Sequence, residues 1–256
     1  MKNIKKIAAL VLSIALVCCA FAGCGVKDAS STDTGSKAEK LVMGTNATFP
    51  PYEYVDDNNK IAGIDAEVAQ AIADKLGMTL TIKDMEFESL ISAVNGGSID
   101  MILAGMTVTE ERKESVDFSE SYAKGVQVII VKEGSSIKAA ADLKGKKIGV
   151  QSGTTGDIYC SDEFGEENVK QYTDGVKAVA ALMNDQVDCV VIDNEPAKNY
   201  VKANEGLKIL DTAYADEDYA IAVSKGNSDL LKKINDALAE LKADGTIDRI
   251  VAKYIK

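Results

Sequence analysis

From residue 40 onward the chain alternates between short apolar runs and segments whose apolar residues recur every three or four positions. Residues 41–45 read as a strand. Ile64, Val68, Ala71, Ile72 and Leu76 then fall at helical spacing, and Gly77 closes that helix. A strand at 80–82 precedes a helix over 88–95, with Leu90, Ile91 and Val94 inward, and an apolar strand at 99–103 follows. The pattern then restarts. Strands are predicted at 127–131, 147–150, 169–172 and 188–192. Val176, Val179, Ala180, Leu182 and Met183 form a helical stripe, and a helix runs over 195–203. Residues 219–223 make one more strand. Leu230, Ile234, Leu238 and Leu241 mark a long helix stopped at Gly245, and 246–255 make the last one. Each half reads strand–helix–strand–helix–strand, which predicts an α/β protein of two lobes, each a mostly parallel sheet flanked by helices. Ligands of such sheets sit beyond the carboxyl ends of strands. Four stretches occupy such ends: 46–49, 105–112, 151–155 and Asp193.

The first forty residues follow a different pattern. Lys2, Lys5 and Lys6 precede an apolar run over 7–22 broken only by Ser13. That run is shorter than the ~20 residues of a membrane span, and small residues follow it, as in a signal peptide. The ending Phe21-Ala22-Gly23-Cys24 resembles a bacterial lipobox, with Phe21 where Leu is usual. Residues 1–23 are thus expected to be a lipoprotein signal peptide and Cys24 the lipidated (palmitate-type) N-terminus. Residues 24–39, rich in Ser, Thr, Asp and Lys, are expected to be a flexible tether.

Composition narrows the chemistry. The formal charge of −11 becomes −14 once the three leading lysines are removed, which argues against nucleic acid as a partner. With no His, Ser-His-Asp and Cys-His catalysis and His-containing zinc sites drop out. The Asp/Asn cluster at 56–59 reads as a hairpin turn, because it lacks the Gly and distal Glu of a calcium loop. No metal or cofactor is expected. Cys160 and Cys189 are the body's two cysteines. Their spacing leaves pairing open, and Cys189, inside an apolar run, reads as a buried thiol.

The string at 104–122 carries the sharpest signal. Thr109 starts a short polar helix with Glu110 and Glu111 in its first turn, where the helix dipole favours them. Arg112 follows, offering a planar fork that matches a carboxylate with two parallel hydrogen bonds. Composition alone would make this Arg a solvated surface partner of its glutamates. The whole pattern, Gly105-x-Thr107-x-Thr109-x-x-Arg112 and then Asp117-Phe-Ser119-x-x-Tyr122, resembles the ligand-carboxylate motif of amino-acid-binding proteins of bacterial ABC importers. The resemblance extends over 40–256. It implies a type II periplasmic-binding-protein-like fold with lobe 1 at 40–124 plus 218–256, lobe 2 at 125–217, and a two-crossing hinge near 122–126 and 216–220.

It also implies roles. Arg112 would grip the ligand α-carboxylate, helped by backbone N–H groups near Thr107 and Thr155; Gly153-Thr154-Thr155 before a helix suits an anion. Gly105 would offer its carbonyl, and Asp193 its carboxylate, to the α-ammonium; the alternative for Asp193 is a strand-end cap. Phe49 and Phe87 would flank the side chain, with core packing as their alternative. Met106 belongs to the same stretch as Gly105 and Thr107. Asn46 and Gln151, both neutral, would read the side chain, which favours a neutral polar amino acid, glutamine first. A cationic ligand stays open through Glu53 or Glu195, whose directions the sequence does not reveal. If Asn46 reads the side chain, Asn46→Asp should favour arginine or lysine; if it only holds its turn, binding should fall evenly. The implied protein is a monomer, tethered to the outer face of the cytoplasmic membrane, that hands a free amino acid to importer membrane subunits. Two other classes compete: a sensor for a membrane signalling partner, and a dehydratase-type enzyme on the same fold, for which no motif singles out an acid or base.

Overall fold

The computed structural model describes residues 39–211 and 213–255. The expected signal peptide, Cys24 and nearly all of the expected tether lie outside them. The strands are β1 (Lys40–Thr45), β2 (Thr48–Phe49), β3 (Glu53–Val55), β4 (Ile61–Ala62), β5 (Thr79–Asp84), β6 (Met101–Ile102), β7 (Val116–Lys132), β8 (Ile148–Gln151), β9 (Val169–Tyr172), β10 (Cys189–Asp193), β11 (Leu207–Ile209) and β12 (Ala215–Ser224). The helices are α1 (Ile64–Leu76), α2 (Leu90–Asn95), α3 (Glu110–Ser115), α4 (Thr155–Phe164), α5 (Gly175–Met183), α6 (Asn194–Ala203), α7 (Ser228–Ala243) and α8 (Thr246–Tyr254).

One sheet runs β5-β1-β6-β12-β7-β10-β8-β9, with β11 also on β7. Two parallel sets, β5-β1-β6 and β10-β8-β9, flank a central antiparallel pair, β12 and β7. The long β7 pairs with β12 along 116–127 and with β10 along 127–130, so one strand belongs to both halves. At its middle, Gly125 lies against the fully buried Tyr219 of β12; a Cβ there would overlap the Tyr219 ring and hydroxyl, so this crossing needs glycine. β2, β3 and β4 form a small separate sheet, whose last hairpin is the expected turn, tied by Asp56 accepting from the Asn58 and Lys60 amides at 2.9 and 2.8 Å.

Local chemistry explains the helix ends. α1 buries Ile64, Val68 and Ile72, and Gly77 ends it in a left-handed conformation (φ 66°). Thr109 and Thr154 cap α3 and α4 by accepting from the Arg112 and Asp157 amides. In α5 the expected stripe is only partly inward: Val179 and Leu182 are buried, but Val176 is 53% and Met183 39% exposed. Ala180, in mid-helix, is exposed too: Val176, Ala180 and Met183 share one face at helical spacing and that face is solvent-side, while Ala178, Val179 and Leu182 face inward. Cys160 and Cys189 are free, buried thiols in the apolar cluster of the second half.

Candidate functional site

The carboxyl ends of β1, β6, β8 and β10 converge on one cavity that encloses about 310 Å³, its mouth included. Asn46, Phe49, Phe87, Gly105, Thr107, Arg112, Gln151, Thr154, Thr155 and Asp193 line it, joined by Glu53 and Ala104. Met106 does not. The segment after β6 bends at Gly105, whose φ of 52° turns the chain there. Gly105 and Thr107 look into the cavity, whereas Met106 is fully buried in the core beside Ile102 and Val116. Glu195 also points elsewhere, lining a separate hollow with Tyr52 and Lys124 and pairing with Lys198 at 2.6 Å.

Arg112 is 5% exposed. Its guanidinium donates to the Thr107 carbonyl at 2.8 Å and to the Gly153 carbonyl at 2.9 Å, and lies 5.3 Å from the centre of the Phe87 ring. Those bonds fix the fork in place yet use two of its five N–H donors. Among the described residues no carboxylate forms an ion pair with it. Burial draws its pKa below the ordinary guanidinium value, while Glu217 and other acids nearby oppose that shift. A buried cation with free donors is suited to an anion supplied from outside.

Around it stand unmatched amides. Among the described residues the Thr107 N–H has no backbone partner, because Val108 and Ala220 carry the bonds that join this segment to β12. The same holds for the Thr155 and Gly156 amides, which open α4. Gly105 adopts φ 52°, and a Cβ there would press on Phe49 at 3.0 Å, so the close approach of ring and backbone requires glycine.

Asp193 ends β10 and precedes α6, but its side chain makes no cap bond. Instead Gln127 donates to its Oδ2 at 2.7 Å and Tyr219 donates to its Oδ1. Burial pushes the carboxyl well above the usual carboxylate range; neighbouring Glu217 adds to this, while Gln127 and Arg112 oppose it. Glu217 in turn accepts from Thr107 at 2.9 Å and from Gln127 at 3.0 Å. Gln127, Glu217 and Tyr219 therefore position the two charged ends of the cavity, and nothing in their local sequence marks them.

The Asn46 amide is occupied on both sides. Its Nδ2 donates to the Met85 carbonyl at 2.9 Å, and its Oδ1 accepts from Thr48 at 2.9 Å and from Gln151 at 2.8 Å. Asn46 thus holds the turn and bridges to Gln151. An aspartate there would turn an acceptor toward the Met85 carbonyl. Asn46→Asp is expected to destabilise the fold by about 1–3 kcal/mol and to weaken neutral and cationic ligands alike. Denaturant unfolding and calorimetry with glutamine, arginine and lysine check this; a selective gain for the cationic pair contradicts it.

A two-sided cleft with a buried cation and a buried anion at opposed strand ends, on a sheet whose two parallel halves share two central strands, defines a protein of the type II periplasmic-binding-protein class. Residues 41–256 match the model of the bacterial extracellular solute-binding proteins, family 3, and the chain belongs to that family. The arginine-binding extracellular protein ArtP of Bacillus subtilis (strain 168) is 35% identical, over 96% of each chain. Among solved structures, an ancestral arginine-binding protein bound to glutamine is 47% identical with a TM-score of 0.81, over 84% of this chain and 97% of that one. An ancestral arginine-binding protein bound to arginine is 46% identical with a TM-score of 0.80, over 86% of this chain and all of that one.

Proposed function

We propose that this chain is an extracytoplasmic receptor that binds one free polar amino acid and delivers it to an ABC importer. The observation that carries this reading is the pair of buried, opposite and mutually unpaired charges on one cavity, Arg112 and Asp193. The ligand α-carboxylate lies on the free donors of Arg112 and on the Thr107 and Thr155 amides. The α-ammonium lies between Asp193 and the Gly105 carbonyl, and Phe49 and Phe87 flank the side chain. The receptor is a monomer that binds without turnover. Lobe 1 comprises residues 40–124 and 218–256, lobe 2 residues 125–217, and the strands β7 and β12 form the hinge. Among the described residues seven side-chain hydrogen bonds cross between those segments: Arg112 to Gly153, Gln151 to Asn46, Ser152 to Glu88, Tyr200 to Thr48, Asn199 to Pro50, Thr107 to Glu217 and Tyr219 to Asp193. They are what a closed cleft would make, and closure about a hinge is a known repertoire for such proteins.

Glutamine is the first ligand to test, because Asn46 and Gln151 are neutral. The bound ligands and names of the relatives put arginine second. A thermal-shift panel of the common amino acids and cystine on ligand-stripped protein tests the reading. A true ligand at 100 times its dissociation constant stabilises the native state by about 2.7 kcal/mol. A flat response across the whole panel contradicts it.

Cys24 anchors the mature protein through lipid in this reading. Cys24→Ala is expected to abolish lipid labelling in cells, while the purified domain still binds. Unchanged labelling contradicts the anchor.

A further inference from the structure

Among the described residues Glu53 is the one acid besides Asp193 that lines the cavity, and the clamp does not use it. It opens β3, is 1% exposed, and its Oε2 has no hydrogen-bond partner among the described residues. Asp65, in the first turn of α1, is fully buried behind it. Asp65 Oδ2 accepts from the Gly105 amide at 2.9 Å and from the Tyr122 hydroxyl at 2.8 Å, whereas Oδ1 is unpartnered. The two carboxyls are within hydrogen-bonding reach of each other. Two ionised carboxylates cannot bond each other; a proton on one of them supplies the donor that such a pair needs. No cation forms an ion pair with either among the described residues.

The groups facing the pair make a second negative charge costly. Tyr52 and Tyr122 lie against it, and burial raises both phenols, so they stay neutral. Tyr200, from α6, is likewise raised by burial. Asp84, at the end of β5, and Asp193 add negative charge. Arg112 is the only cation lining this cavity among the described residues, and its donors point to the clamp. Burial first, and the other carboxyl second, push Glu53 well above the usual carboxylate range; burial pushes Asp65 up to about 6, against the bonds from Gly105, Tyr122 and Glu53.

We propose that Glu53 reads the ligand side chain through a proton it shares with Asp65. The pair keeps the proton when the side chain is a neutral amide and releases it to solvent when the side chain is a guanidinium or ammonium. This rests on the cavity being an amino-acid site and names the side-chain reader within it. In the protonated pair, Glu53 donates to Asp65 and offers its other oxygen as an acceptor for an amide NH2. In the deprotonated pair the same oxygen, now charged, accepts from a cation, and the positive side chain replaces the proton. The charge of the pocket is thereby held constant across two ligand classes. Any proton that Asp193 releases to solvent when the α-ammonium binds is common to both ligands and cancels in their difference.

Calorimetry of glutamine and arginine in buffers of different ionisation enthalpy counts the protons released by each on wild-type protein. Arginine is expected to release about one more proton than glutamine at neutral pH. By linkage, its affinity relative to glutamine then rises by up to about tenfold per pH unit between pH 6 and 8. In Glu53→Gln, which carries no proton to exchange, the difference in proton count disappears and the ratio no longer depends on pH. Equal proton release by both ligands in the wild type overturns the proposal, as does arginine failing to bind at any pH while glutamine binds. The wild-type measurement stands even if Glu53→Gln does not fold. If neither ligand nor any other amino acid binds, it is the function itself that fails.

Discussion

Replacing Arg112 with alanine is expected to abolish useful amino-acid binding while leaving a folded protein. Removing one partner of a buried charge pair typically costs about 2–5 kcal/mol, or roughly 30-fold to several-thousand-fold in affinity. Here the loss should fall at the upper end. The guanidinium supplies the cation, the fork geometry and the two bonds that hold the Thr107 and Gly153 carbonyls. The fold survives because Arg112 faces a cleft on a short helix whose Thr109 cap stays intact. Arg112→Lys keeps the charge but not the planar fork, so its affinity should lie between alanine and wild type. Near-wild-type affinity for Arg112→Ala by calorimetry would mean the carboxylate site is wrongly placed.

Asp193→Asn is expected to separate stability from binding. In the ligand-free protein the ionised carboxylate is costly, since it is buried with Glu217 close by. A carboxyl whose folded pKa is raised holds its proton more tightly in the native state than in the unfolded one. Its contribution to stability is therefore greatest at low pH and falls as pH rises from the ordinary carboxylate range toward the raised value. The amide cannot ionise, so the variant should gain stability relative to wild type as pH rises from 5 to 8. Its affinity should fall by about 2–5 kcal/mol, because the α-ammonium loses its counter-charge. Thermal melts with and without glutamine at both pH values read both effects. A wild-type ligand shift in the variant would remove Asp193 from the clamp.

The parallel halves of the fold were legible because their strands are short apolar runs with glycine or threonine at the ends. α1 and α7 show their inward faces in residue spacing alone, and Thr109 announces α3. The central pair was only half visible. β7 spans Val116–Lys132, but Asp117, Ser119, Ser121 and Lys124 interrupt its first part, so only its apolar end looked like a strand. β12 is likewise hidden by Asp216, Glu217 and Asp218. These polar stretches are strands because each is the other's partner, a pairing about a hundred residues apart that no local pattern encodes.

The site divides in the same way. Phe49, Gln151 and Asp193 close short strands and Arg112 follows the capped start of α3, features that a local pattern carries, and all four line the cavity. Met106 faces the core because the chain bends at Gly105, a turn that the order of residues alone does not aim. The direction of Glu53 depends on Asp65 and Tyr122, which come from α1 and β7. The bonds that occupy Asn46 come from Met85 and Gln151, so its freedom to read a ligand could not be judged from its own turn. Gln127, Glu217 and Tyr219 act through Asp193, Thr107 and one another, across 26 to 110 residues of chain.

The central claim is that one cavity holds both charged ends of a free amino acid, and a crystal structure of the protein grown with saturating glutamine tests it most directly. The account predicts glutamine in this cavity, its α-carboxylate oxygens about 3 Å from the Arg112 guanidinium and the Thr155 amide, and its α-ammonium within the same distance of Asp193. Glutamine bound elsewhere, or bound here with its side-chain amide rather than its carboxylate on Arg112, would contradict it.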